Sequence, residues 1–311
     1  MKRVVSFFLL LFSFVFLTGC TEDAKLKVTL PNWIPLISVA GTLTEDIEYN
    51  NVTGPNLLVT AFTSKEADII IAPINLGAKL YNSGNSSYKL DSVIGFLNTY
   101  IVSIDEPLTS LADLDGKTLA AFGETNIPGI TLRCALASEN VNPNITYYNA
   151  INDGVAFFLK GDYQYLLTSE PVLSNLRKKV SNLKYLSIAD VLYKTTELDL
   201  VPQAAIFVNS ESKNTKKIAK FITAVENNIT NLNRDPQGYA NFIYQKDEYL
   251  ESMKEDLIAS SIPLSNIEFK KAIDIKEDIE KFFNLLLTED AALVGGKLPD
   301  QAFYTPHEQN W

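Results

Sequence analysis

Past its first two dozen residues the chain alternates two patterns. Short continuous apolar runs mark buried strands, and stretches with apolar positions every three or four residues mark amphipathic helices. Leu26 to Leu30 reads as a strand that stops at Pro31-Asn32-Trp33. Ile34 to Leu43 reads as a helix, with Pro35 tolerated in its first turn. A second helix is expected over Asn56 to Lys65. The β-branched run from Ala67 to Pro73 follows as a buried parallel strand. Asn75 to Tyr81 then predicts a helix, and Asn82 to Ser87 a polar loop.

The same order returns further on. Lys117 to Phe122 predicts a strand, stopped by the loop Gly123 to Gly129 and followed by a helix from Ile130 to Glu139. Asp153 to Lys160 predicts another helix, Gly161-Asp162 a turn, and Tyr163 to Thr168 a strand that ends at Ser169-Glu170-Pro171. Strand, loop, helix, helix, Asp-led strand, proline: one order used twice predicts two similar α/β lobes, each a mainly parallel sheet flanked by helices. Ligands of such sheets bind beyond the carboxyl ends of the strands. The loops at 31–33, 72–75, 123–129 and 168–171 are those ends, and facing lobes would bring all four into one cleft.

The remaining pattern is helical, at Lys213 to Asn228, Leu250 to Ala259 and Ile275 to Leu287. The strand-like Ala204 to Val208 reads as the chain crossing back, and Ile101 to Ile104 as the outward crossing. The first lobe is thus expected to be discontinuous, 21–103 plus 204–311, with the second lobe at 104–203.

Ahead of this body stand Lys2-Arg3, an apolar run from Val4 to Leu17, and Leu17-Thr18-Gly19-Cys20. The run is short for a span of about 20 residues, and small residues before a cysteine mark a processing site. The segment resembles the lipobox of bacterial lipoproteins, which implies that Cys20 is acylated, becomes the first mature residue and anchors the protein outside the cytoplasm. The formal charge is −10, and loss of Lys2 and Arg3 takes it to −12. Such a balance excludes a basic nucleic-acid face and leaves membrane attachment to the acyl chains.

Two candidate nucleophile or metal residues carry little. Cys134 is the only cysteine after Cys20, so no internal disulfide is expected, and a small core residue is the plain reading. His307 is the only histidine, so any His-dependent relay or zinc site would have to use it. Neither a metal nor a cofactor is expected.

In this order, behind a lipobox, several segments resemble a known family. They are Ala67 to Tyr81, Leu111 to Thr118, Glu170-Pro171, Ile262 to Ile267 and Gly295 to Asp300. The whole mature chain resembles the substrate-binding lipoproteins of ABC importers, in the group similar to nitrate, sulfonate and thiamine-precursor binders. The resemblance implies a two-lobed periplasmic-binding-protein clamp of the type with two crossover strands. It also implies a small anionic or zwitterionic organic solute, a membrane permease as partner, a monomer, and no catalysis. The loop Gly-Glu-Thr-Asn-Ile-Pro-Gly departs from the Gly/Ser-rich stretch common there, and Glu124 adds an anion to it.

Candidate contacts follow from the strand ends. Thr125, Asn126 and the N–H groups up to Gly129 either hold ligand oxygen at a helix start or only cap it. Arg133, in the first turns of that helix, either reaches the ligand or stays solvated. Trp33 offers an aromatic plate or core packing. Pro73 at its strand end is expected to contact the ligand, Asn75 beyond it offers an amide or a helix cap, Ser169 and Glu170 a strand-end contact or a hinge bond, and Gln203 a weaker contact. Two other functions remain open: an enzyme on the same clamp, since fold does not fix chemistry, and a surface antigen or adhesin.

Overall fold

The computed structural model describes residues 24–84 and 86–304. Cys20, the run before it and His307 lie outside the described residues. Lobe 1 opens with β1 (Leu26–Pro31), α1 (Ile34–Ala40), β2 (Ile47–Val52), α2 (Pro55–Ser64), β3 (Ile69–Pro73), α3 (Ile74–Asn82) and β4 (Tyr88–Phe96). The chain then enters lobe 2 with β5 (Thr99–Ser103), β6 (Thr118–Phe122), α4 (Ile127–Ser138), β7 (Asn144–Tyr148) and α5 (Ile151–Lys160). Lobe 2 finishes with β8 (Tyr165–Ser169), α6 (Val172–Lys179), β9 (Lys184–Ser187) and α7 (Ile188–Thr195). It returns through β10 (Pro202–Asn209) to α8 (Thr215–Arg234), α9 (Pro236–Ile243), α10 (Glu248–Met253), α11 (Glu255–Ser261), β11 (Lys270–Lys271) and α12 (Lys276–Glu289).

Two sheets result, ordered β11-β4-β10-β3-β1-β2 and β7-β6-β8-β5-β9. Each is a parallel trio extended by antiparallel strands. In lobe 1, β1 pairs with β2 and β3 in parallel, and β10 runs antiparallel beside β3. In lobe 2, β6 pairs likewise with β7 and β8, and β5 runs antiparallel beside β8. Both sheets are therefore mixed, where mainly parallel ones were expected: the strand that crosses from the other lobe enters each sheet against the direction of the trio.

The repeated unit also contains a strand that the apolar pattern missed in both copies. β2 and β7 each sit at a sheet edge, half exposed, with sequences rich in Asn, Glu, Thr and Tyr. An edge strand needs only one buried face, so it shows no continuous apolar run.

The crossing is displaced from its expected position. Thr99 to Val102 pair with Leu166 to Ser169 inside the second sheet, so the outward crossing is Leu97-Asn98 and not 101–104. The boundary at 103 moves accordingly, because an apolar strand and an apolar crossing look alike in sequence. Gln203, grouped with lobe 2, lies on β10 of lobe 1. The single helix expected over 250–259 is broken at Lys254, whose φ of 65° is left-handed, into α10 and α11.

Packing fixes the frame of the site. α8 buries Ile218, Phe221, Ile222, Val225, Ile229 and Leu232 against the outer face of the lobe 1 sheet. On α3, Gly77 lies where a Cβ would stand 2.1 Å from the Phe207 ring, so only glycine lets the helix sit this close to β10. The carboxyl end of β3 and the start of α3 are thereby pressed against the crossing strand.

Candidate functional site

The strand ends meet in one cleft of about 660 Å³ between the lobes. Lobe 1 contributes Asn32, Trp33, Pro73, Asn75, Lys79 and Gln203; lobe 2 contributes Phe122, Asn126, Ile127, Ser169 and Glu170. Asn98 and Thr99 line its hinge end. Of the residues proposed from the sequence, Trp33, Pro73, Asn75, Asn126, Ser169, Glu170 and Gln203 are thus brought together. A second, more polar cavity of about 540 Å³ lies on lobe 1, against Tyr49, Asn51 and Asp247.

Trp33 is carried on an unfavourable backbone. It precedes α1 with φ 70° and ψ −122°, a region that side-chain-bearing residues rarely enter. Its indole Nε1 is buried with no hydrogen-bond partner. Asn75 sits in the first turn of α3, whose cap position is Pro73, so it does not cap. Its amide instead donates to the Leu293 carbonyl at 3.4 Å, tying α3 to the segment after α12.

The lobe 2 loop is arranged differently from the expectation. Thr125 is exposed and does not line the cleft, and neither does Gly129. Gly129 serves the loop itself: a Cβ there would stand 2.4 Å from the Gly123 carbonyl. That carbonyl accepts from both Asn126 N and Gly129 N at 2.9 and 3.0 Å. In the first turn of α4 the Gly129 N–H is therefore satisfied by its own loop, and Pro128 has no N–H to give. Asn126 occupies the cap position without a side-chain cap bond, which leaves its amide facing the cleft. Arg133 does not reach the cleft; its guanidinium donates to the Glu124 carbonyl at 2.7 Å and to Glu289 of α12 at 2.8 Å.

Glu170 is the buried charge of the site, 3 % exposed. Its carboxylate accepts from Ser174 N and Ser174 Oγ at 3.3 and 2.9 Å, so it satisfies one of the free N–H groups at the start of α6. Ser174 Oγ also lies 3.0 Å from the Ser260 carbonyl on α11, which joins lobe 2 to lobe 1. Burial pushes the Glu170 carboxyl up to about 7, against the pull of the Ser174 and Ser261 bonds and of Arg177. A carboxyl so placed changes charge in the neutral range.

Asn98 and Thr99 escaped the sequence reading. They are 6 % and 1 % exposed, and the Thr99 hydroxyl is buried without a partner. Their signal was a polar pair interrupting the apolar run from Val93 to Val102. Among the described residues no cluster of His, Cys, Asp and Glu is arranged to hold a metal ion. Cys134 is half buried against the lobe 2 core, with its thiol pushed up by burial.

Two mixed α/β sheets, two crossings and a cleft at the strand ends define a two-lobed clamp of the periplasmic-binding-protein kind. Residues 89–239 match the sequence family described as NMT1/THI5 like. The structure is similar to that of an ABC transporter from Parabacteroides distasonis (TM-score 0.75, 22 % identity), covering 91 % of this chain and 99 % of that one. It is also similar to the periplasmic aliphatic sulphonate binding protein of Escherichia coli (TM-score 0.65, 13 % identity), covering 93 % and 98 %. The alkanesulfonate-binding protein of Xanthomonas axonopodis pv. citri bound to MOPS is a third (TM-score 0.58, 15 % identity, 91 % and 97 %). Among curated proteins no sequence matches this chain. The resemblance to nitrate- and sulfonate-type ABC binding proteins read from the sequence therefore stands. No helix among the described residues is long and apolar enough to cross a membrane.

Proposed function

We propose that this chain is an extracytoplasmic, lipid-anchored solute-binding protein that closes over a small anionic or zwitterionic organic solute and delivers it to an ABC permease. The observation that carries the reading is the cleft of about 660 Å³, walled by both lobes and open to a hinge made of only two crossings. Its volume suits one small molecule, and its walls combine apolar surface with a few convergent polar groups, as ligand sites do. Lys79 and the start of α3, which no side chain caps, supply positive potential on the lobe 1 wall. A catalytic reading finds less support, because Glu170 is the one carboxylate on the lining and has no second acid beside it there.

Binding with lobe closure predicts a smaller radius of gyration for loaded than for stripped protein. Small-angle scattering of protein purified without refolding, paired with native mass spectrometry of the solute it carries, tests this. An identical profile for the loaded and stripped forms would remove the clamp. Anchoring is tested separately by metabolic labelling with an alkyne fatty acid. The label should be lost in Cys20→Ser, and its persistence would refute acylation at Cys20.

A further inference from the structure

The parallel trio of lobe 1 points its carboxyl ends at the cleft, so the amino ends of β1, β2 and β3 gather at the opposite end of the lobe, its base. β10 runs against them and finishes at the same base, where the chain turns into α8. Asp68, 9 % exposed, holds this corner together. Its carboxylate accepts from Lys27 N of β1 at 2.9 Å, and from Ser212 Oγ and Asn214 Nδ2 in the turn before α8. The chain that leads back to Cys20 leaves from this corner too, where Lys217 of α8 donates to the Ala24 carbonyl at 2.7 Å.

The corner is cationic. Lys25, Lys27, Lys213, Lys216 and Lys220 are exposed, and among the described residues none of the five is paired with a carboxylate. Lys216 and Lys220, four apart, share the side of α8 turned away from the buried Ile218, Phe221 and Ile222. α8 starts with no side-chain cap and no acidic residue in its first turn, so its free N–H groups add to the positive potential. The carboxylates around it are Glu66, Asp46 beside Leu26, and Glu211, which is bonded to Lys65. A chain-wide charge of −10 points to attachment by acyl chains alone, but it averages this end away.

From Cys20 to Ala24 the chain advances four residues, which reach about 14 Å when fully extended. An acyl group on Cys20 therefore keeps this corner near the head groups, close to the distance of about 8–10 Å over which charges act in physiological salt. We propose that the base of lobe 1, around Lys25, Lys27, Lys213, Lys216 and Lys220, is a docking surface for the anionic phospholipid head groups of the membrane that carries the anchor. The acyl chains supply the attachment and the lysines its orientation. The six residues of β1 then stand between membrane and cleft, and at about 3.3 Å per residue they hold the cleft roughly 20 Å above the head groups. The inference rests on the lipid-anchored reading of Cys20 and adds which face of the body meets the lipid.

The test places the lipidated protein on vesicles of phosphatidylcholine and on vesicles of phosphatidylcholine mixed with phosphatidylglycerol. The anchor holds the protein on both, so amide hydrogen exchange, read peptide by peptide, reports which face docks. Exchange over residues 210–221 should be slower on the anionic vesicles by about fivefold, the attraction of roughly one lysine for such a surface. The difference should vanish in about 1 M salt, where charges are screened within about 3 Å. It should also vanish in the triple variant Lys213→Gln, Lys216→Gln, Lys220→Gln, whose melting temperature should match the wild type because these side chains are exposed and unpaired. Peptides of α5 in lobe 2 should exchange alike on both vesicles. Equal exchange over 210–221 on the two vesicles, with the protein floating on both, overturns the inference and leaves the anchor standing. Slowing confined to lobe 2 does the same. Protein that floats with neither vesicle overturns the inference and the anchor together.

Discussion

Arg133 of lobe 2 lies 2.8 Å from Glu289 of lobe 1, and the same guanidinium holds the Glu124 carbonyl of its own loop. The two lobes are thus tied at a point away from the crossings. The tie also fixes the loop whose Asn126 faces the cleft.

Both side chains of that pair are partly exposed, at 39 % and 34 %, so its contribution to stability is small, about 0.2–1 kcal/mol. Its effect on lobe spacing should exceed its effect on melting. Glu289→Gln should widen the unliganded protein in scattering, and raised salt should widen the wild type in the same way. Identical profiles for both proteins at low salt would show that the pair does not set the opening.

Trp33 combines a left-handed backbone with a large ring. Strain of that kind is on the order of 1–3 kcal/mol, and only glycine is relieved of it. Trp33→Ala keeps the strain and loses the ring; Trp33→Gly loses both. Chemical denaturation should find the glycine variant more stable than the alanine variant by about 1 kcal/mol. Equal stabilities would place no strain at this position.

Glu170 gives stability a pH dependence of fixed sign. Its folded carboxyl titrates at about 7 against an ordinary 4.5, so between these values the folded protein holds a proton that the unfolded chain has lost. Stability from this group is therefore full below about 4.5, falls as pH rises, and levels off above about 7. The fall is on the order of 3 kcal/mol. Urea denaturation of wild type and Glu170→Gln at several pH values isolates it: the difference between the two should move in favour of the glutamine variant as pH rises. A difference that is flat from pH 5 to pH 8, on the order of the whole titration range, would remove the assignment.

The doubled order of elements was legible because the central strands of each lobe are buried on both faces, and Ile69 to Ala72 or Leu119 to Ala121 then carry no polar interruption. β2 and β7 were not legible, because an edge strand buries one face and shares its residue types with loops. Strand ends pointed to the cleft, since a parallel sheet places them together whatever their side chains. Which loop residues turn inward was beyond the pattern. Gly129 was drawn to the Gly123 carbonyl of its own loop, and Arg133 to the Glu124 carbonyl and to Glu289, the last a partner remote from anything that local spacing encodes. Asn98 and Thr99 were hidden by the apolar run around them, which looks the same whether it stays in one sheet or passes between two.

β3 and β4 are not paired with each other; β10 stands between them and pairs with both. During synthesis, lobe 2 is complete once Thr195 has emerged, since every strand of its sheet lies between Thr99 and Ser187. Lobe 1 at that moment is the trio β3-β1-β2 and the lone strand β4, since β11 is still to come, and a single later segment, Pro202–Asn209, must enter between them before their facing edges are covered. Pairing so distant in sequence is slow to form. The nascent chain therefore passes through a stage with one finished lobe and one open seam. A sequence change in β10 that weakens its pairing should appear first as aggregation of newly made protein through those edges.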